Sequence, residues 1–124
     1  MQSKPGRNNI YVAPFRGAAA IEQREWTAIT GSDTTNTVSR WSPDGNRLYF
    51  FSTRDGSDCI WMQQLDPATK QHVGAPQDLY HLHTAGRTIL AFPAFGFSLA
   101  RDKAVFPLRE LTGNIWMARV ERQQ

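Results

Sequence analysis

Three short segments of this 124-residue chain share one pattern, and that repetition limits the available folds more than any other feature. They are Asn9-Ile10-Tyr11-Val12-Ala13-Pro14-Phe15, Cys59-Ile60-Trp61-Met62-Gln63-Gln64-Leu65 and Asn114-Ile115-Trp116-Met117-Ala118-Arg119-Val120. Each runs Ile, an aromatic, Val or Met, and then an apolar residue three places on. The isoleucines stand at positions 10, 60 and 115, a period of 50 to 55 residues. A second pair precedes the last two copies: Trp41-Ser42-Pro43-Asp44-Gly45-Asn46-Arg47-Leu48-Tyr49-Phe50 aligns with Phe97-Ser98-Leu99-Ala100-Arg101-Asp102-Lys103-Ala104-Val105-Phe106. The later copy keeps the apolar positions and lacks the Pro and Gly.

The repeated cores are short, rich in β-branched and aromatic residues, and bounded by turn formers such as Ser42-Pro43-Asp44-Gly45 and Arg54-Asp55-Gly56-Ser57, so they read as strands. No window holds a sustained helical period, and Ala18 to Glu25 reads as at most a helical turn within a loop. In Leu48-Tyr49-Phe50-Phe51 successive side chains point to opposite faces, yet all four are apolar. The sheet must therefore be covered on both faces. With no helices to cover it, sheets stacked on copies of themselves remain. A period near 50 residues with several short strands is that of a β-propeller blade.

Composition narrows the function classes. Fourteen Lys and Arg against eleven Asp and Glu give a net charge of +3, spread without a basic block, which argues against a nucleic-acid stripe. No apolar run exceeds four residues, far below a membrane span, and the polar start Met1 to Asn9 lacks the apolar core of a secretory signal. A single cysteine, Cys59, rules out a disulfide-stapled scaffold.

From Trp41 to Gly56, followed by Cys59-Ile60-Trp61-Met62, the sequence resembles the TolB-like β-propeller repeat family: a W-S-P-D-G turn, a strand ending in Ser, an R-D-G turn and an Ile-aromatic strand. The residues that carry this repeat are Trp41, Ser42, Pro43, Asp44, Gly45, Asp55, Gly56, Ile60 and Trp61, with Ile115 and Trp116 in the last copy. The C-terminal copy departs from the pattern at Leu99, Ala100 and Arg101. The resemblance implies an all-β fold of antiparallel four-stranded blades, incomplete at about 2.5 blades where closed rings use about four to eight, and hence an open arc unless oligomerised. It divides a single partial propeller domain, 1–124, into a half blade at 9–36, a complete blade at 37–83 and a three-stranded last blade at 84–124.

On this plan the half blade holds strands at Asn9 to Phe15 and Glu25 to Thr30. The complete blade holds Thr37 to Trp41, Arg47 to Ser52, Cys59 to Leu65 and Gln77 to Leu82. The last has Phe92 to Phe97, Lys103 to Leu108 and Asn114 to Val120. Pro43 presets φ for the turn, Asp44 can accept from the backbone ahead of it, and Gly45 takes a positive φ. Trp41 is expected to fill space between blades.

Candidate chemistry is sparse. His81-Leu82-His83 would set two imidazoles on one strand face, as two ligands of a zinc or copper site, but no third ligand is evident and Cys59 belongs to a different strand. The plain reading is solvated histidines, with His72 in a turn. Asp55-Gly56-Ser57-Asp58 lacks the spacing of a calcium loop and reads as a turn. No Ser sits in a nucleophile elbow, no glycine-rich phosphate loop is present, and Cys59 reads as a buried, unreactive thiol. The expectation is therefore no catalytic, cofactor or metal residues.

The resemblance implies a non-catalytic, bacterial protein-interaction or scaffold segment, with a protein partner or self-association through exposed blade faces, and without nucleic-acid binding or membrane insertion. The family's namesake is periplasmic and works with the Tol-Pal envelope system, while the polar start of the sequence leads to no expectation of a signal peptide. The alternative is an accessory or sensor propeller fragment of a larger prolyl-oligopeptidase-like peptidase, kinase or transcription regulator.

Overall fold

The computed structural model describes residues 8–31, 33–81, 87–89, 96–110, 112–113 and 115–117. The strands in chain order are β1 (Tyr11–Val12), β2 (Thr27–Ala28), β3 (Asn36–Trp41), β4 (Arg47–Ser52), β5 (Cys59–Gln64), β6 (Gln77–Tyr80), β7 (Arg87–Ile89), β8 (Ser98–Leu99), β9 (Ala104–Val105) and β10 (Leu108–Glu110). A single 3-10 turn, Gln23–Glu25, is the only helical element among the described residues.

Strands β3 to β6 form a four-stranded antiparallel sheet in chain order. Its central ladder, β4 on β5, runs without interruption from Arg47 opposite Gln64 to Ser52 opposite Cys59. The outer ladders are less regular, with register shifts between Thr37 and Arg40 and between Ile60 and Trp61. Val38, a β-branched residue at φ 52, sits within the first shift, where the bulge bends the strand.

The apolar run of β4 explains how this sheet is covered. Leu48 and Phe50 point to one face, where they pack with Leu65, Ile10 and Ile29. Phe51 points to the other, where it packs with Ile60 and Phe97 and is flanked by Tyr49, Leu99 and Phe106. Both phenylalanines are fully buried. The strand pair β1–β2 thus closes one face and β8–β9 the other, so the two-sided apolar pattern finds β structure on both sides without any helical layer.

Polar anchors hold the outer pairs in place. The Thr30 hydroxyl accepts from the Ile10 amide at 2.9 Å, and the buried Asn36 amide donates to the Asn8 carbonyl at 3.2 Å. On the opposite face Arg40 Nε donates to the Phe97 carbonyl at 2.8 Å. Buried polar groups that find such partners avoid a desolvation cost of about 1–3 kcal/mol each.

Outside the central sheet the elements differ from the sequence expectation. The strands expected at Asn9 to Phe15 and Glu25 to Thr30 shorten to β1 and β2, because Pro14 offers no backbone donor and Glu25 closes the 3-10 turn through a capping box with Glu22. The strand expected at Lys103 to Leu108 is split. Ala104–Val105 pairs with β8, Pro107 interrupts, and Leu108–Glu110 turns to pair with β7. Ile115, Trp116 and Met117 lie in no strand. Most of the strand expected at Phe92 to Phe97, together with Leu82 and His83, lies outside the described residues.

Candidate functional site

The W-S-P-D-G segment forms the β3–β4 connection, and its side chains close the turn. Gly45 adopts φ +71, and its amide donates to the Ser42 carbonyl at 2.9 Å. The Ser42 hydroxyl donates to Asp44 Oδ1 at 2.5 Å, which also accepts from the Asn46 amide at 3.0 Å. The Arg47 amide in turn donates to Ser42 Oγ at 3.0 Å. The Ser42 hydroxyl above all, with the Asn46 amide next, holds the Asp44 carboxyl below the usual carboxylate range. Lys70 ties this turn to the next one, its ammonium donating to the Gly45 carbonyl at 2.9 Å. Trp41 is 46% exposed, so it does not fill a gap between sheets as its place in the repeat predicts. It ends β3, beyond the two apolar clusters.

A second constellation lies at the opposite end of the β4–β5 hairpin. Asp55 and Gly56 form the connecting turn, with Gly56 at φ +95 and its amide on the Thr53 carbonyl at 2.9 Å. Cys59 opens β5 and is fully buried. Because Ile60 pairs with Tyr80 across the β5–β6 ladder, the next residues outward, Cys59 and His81, come side by side. One ligand atom each from Asp55, Cys59 and His81 lies within 4.8 Å of the others.

His81 is held at both ring nitrogens. Nδ1 lies 2.5 Å from Asp55 Oδ2, and Nε2 lies 2.7 Å from Asp78 Oδ2. The ring meets the edge of Trp61 at 6.4 Å and an interplanar angle of 88°, and the Arg54 guanidinium covers Trp61 at 5.3 Å. The site thus joins carboxylate, thiol and imidazole donors from a turn and two adjacent strands. Burial pushes the neighbouring Asp58 carboxyl above its usual range.

The sequence suggests His81 and His83 as a pair and sets Cys59 apart on another strand. The structure corrects the second point: adjacent strands are about 4.8 Å apart, so a neighbouring strand is where a third ligand belongs. His83 lies outside the described residues. The signal available in the sequence was the hairpin register, which brings residue 81 beside residue 59 once Gln77 to Tyr80 is paired with β5.

The third copy of the repeat has a different environment from the second. Ile60 is 4% exposed within β5, whereas Ile115, Trp116 and Met117 are 96%, 89% and 96% exposed. No helix among the described residues is long and apolar enough to cross a membrane. Comparison of the chain with protein-family models, with curated proteins and with solved structures finds no match.

Proposed function

We propose that the chain is a non-catalytic β-propeller segment of TolB-like type whose role is protein interaction, and that the surface it engages is a sheet of a second copy. One observation carries this reading. The same three residue types, Ile-Trp-Met, occur twice, once paired inside the central sheet as Ile60, Trp61 and Met62 and once fully open to solvent as Ile115, Trp116 and Met117. Exposing three large apolar side chains in a row forgoes burial worth about 1.5–3 kcal/mol for each. A solvent-exposed segment with strand composition is a ready element for β-augmentation of an unpaired sheet edge. A second copy is the favoured occupant because sheet units of this chain already stack on one another through both faces of β4.

Sedimentation of the wild-type chain and of Trp116→Lys tests the reading. Association that depends on concentration and weakens by tenfold or more in Trp116→Lys supports it. Equal association by both chains, or none by either, overturns it.

A further inference from the structure

We infer that Asp55, Cys59 and His81 form a zinc site, with Asp78 orienting the histidine. A neutral ring carries one N–H and one lone pair, yet both nitrogens of His81 lie against carboxylate oxygens, at 2.5 Å and 2.7 Å. When Nε2 donates to Asp78, Nδ1 turns its lone pair towards an Asp55 oxygen. Two acceptors in that position require a cation between them. A proton satisfies the pair, and a metal ion satisfies the pair and the Cys59 sulfur together, since all three ligand atoms lie within 4.8 Å.

The donor set selects the metal. Thiolate and imidazole are poor ligands for calcium or magnesium, which take oxygen, whereas zinc accepts sulfur, nitrogen and carboxylate oxygen in tetrahedral geometry. Asp78 on the far nitrogen completes the carboxylate–histidine–metal arrangement that fixes ring orientation and raises ligand basicity. Binding moves the Asp55 oxygen and Nδ1 apart from 2.5 Å to roughly 3.3 Å, the tetrahedral edge set by bonds of about 2.0–2.1 Å. The Asp55 and His81 side chains are 24% and 41% exposed, which places the site at the solvent boundary, where the fourth ligand of a tetrahedral zinc can be a water. Zinc displaces two protons to solvent, the one shared by Nδ1 and the Asp55 oxygen and the thiol proton of Cys59, as its bonds to nitrogen, oxygen and sulfur form.

The consequence is a clamp on the edge of the central sheet. Strand β6 is four residues long and exposed throughout, and its ladder to β5 is interrupted by a register shift. A metal bound by the β4–β5 turn, the first residue of β5 and the residue after β6 fastens that weak edge to the core.

The test uses the purified full chain with zinc alone and with cobalt as a spectroscopic substitute. The expected result is one equivalent of metal, a thiolate-to-cobalt charge-transfer band, and its loss in Cys59→Ser. Zinc affinity should fall by tenfold or more in His81→Asn and Asp55→Asn, and by about 10–100-fold in Asp78→Asn with the thiolate band retained. His72→Asn should bind as the wild type does. Should Cys59→Ser fail to fold, the partly exposed His81→Asn and Asp78→Asn carry the test by themselves. Absence of the thiolate band in the wild-type chain, or zinc affinity unchanged in Cys59→Ser or in His81→Asn, overturns the assignment.

Discussion

Phe51 and Phe97 meet with ring centroids 5.0 Å apart and planes tilted by 34°, and this contact seats the β8–β9 pair on the central sheet. The two rings are 0% and 4% exposed. Truncating either to Ala should destabilise the chain by about 3–5 kcal/mol in urea denaturation. Because the rings touch, the double variant should lose less than the sum of the single losses. Strictly additive losses would show that the two sheets are held by other contacts.

The Asp44 turn should make stability depend on pH in the acid range. Its carboxyl sits below the usual range because of the Ser42 hydroxyl first and the Asn46 amide second, so the native state favours the charged form. That contribution is fully present above the ordinary carboxylate value, near about 3.9, and is lost as pH falls through the lower native value. Asp44→Ala and Ser42→Ala should lower the melting temperature at neutral pH, and the difference for Asp44→Ala should shrink once the solution is acid enough to protonate the native carboxyl. A deficit of constant size across that range would contradict the account.

Asp58 should behave in the opposite sense. Burial raises its carboxyl, so the native state pays a penalty for the charged form at neutral pH and is relieved as pH falls through the raised value. Asp58→Asn should therefore be more stable than the wild type at neutral pH. The advantage should vanish below the ordinary carboxylate range, where both folded and unfolded chains are protonated. Paired urea titrations at neutral and acid pH check both parts.

Gln63 is 1% exposed, and its side-chain nitrogen donates to the carbonyls of Gln64, Val73 and Gly74. It is the anchor that draws the loop after β5 onto the sheet. Gln63→Leu keeps the volume and removes the donor, at an expected cost of about 1–3 kcal/mol. Hydrogen exchange at the Val73 amide, which donates to the Gln64 carbonyl at 2.8 Å, should accelerate in the variant. Unchanged exchange there would separate the loop from Gln63.

The central sheet was legible in the sequence because its signals are local. Leu48 to Phe51 announces two buried faces within four residues, and Pro43 with Gly45 announces the reversal before it. The short outer strands were not, because pairs of two residues such as β8 and β9 are defined by the surface they pack on and leave no periodicity of their own. Leu108–Glu110 illustrates this, since its choice of β7 is made across the chain, with Arg87 Nε on Glu110 at 2.7 Å. The cluster at Cys59 was hidden for a related reason. Its members are separated by a whole strand and loop, and only the Ile60–Tyr80 pairing shows that Cys59 and His81 are neighbours.

Association of this segment through sheets like its own, as proposed above, is read from its mass in solution. Light scattering on the purified chain should give a discrete multiple of 14.0 kDa at working concentration. The Ile115→Lys, Trp116→Lys double variant should shift towards the single-chain mass. A monodisperse 14.0 kDa species for the wild type at every concentration would contradict the claim.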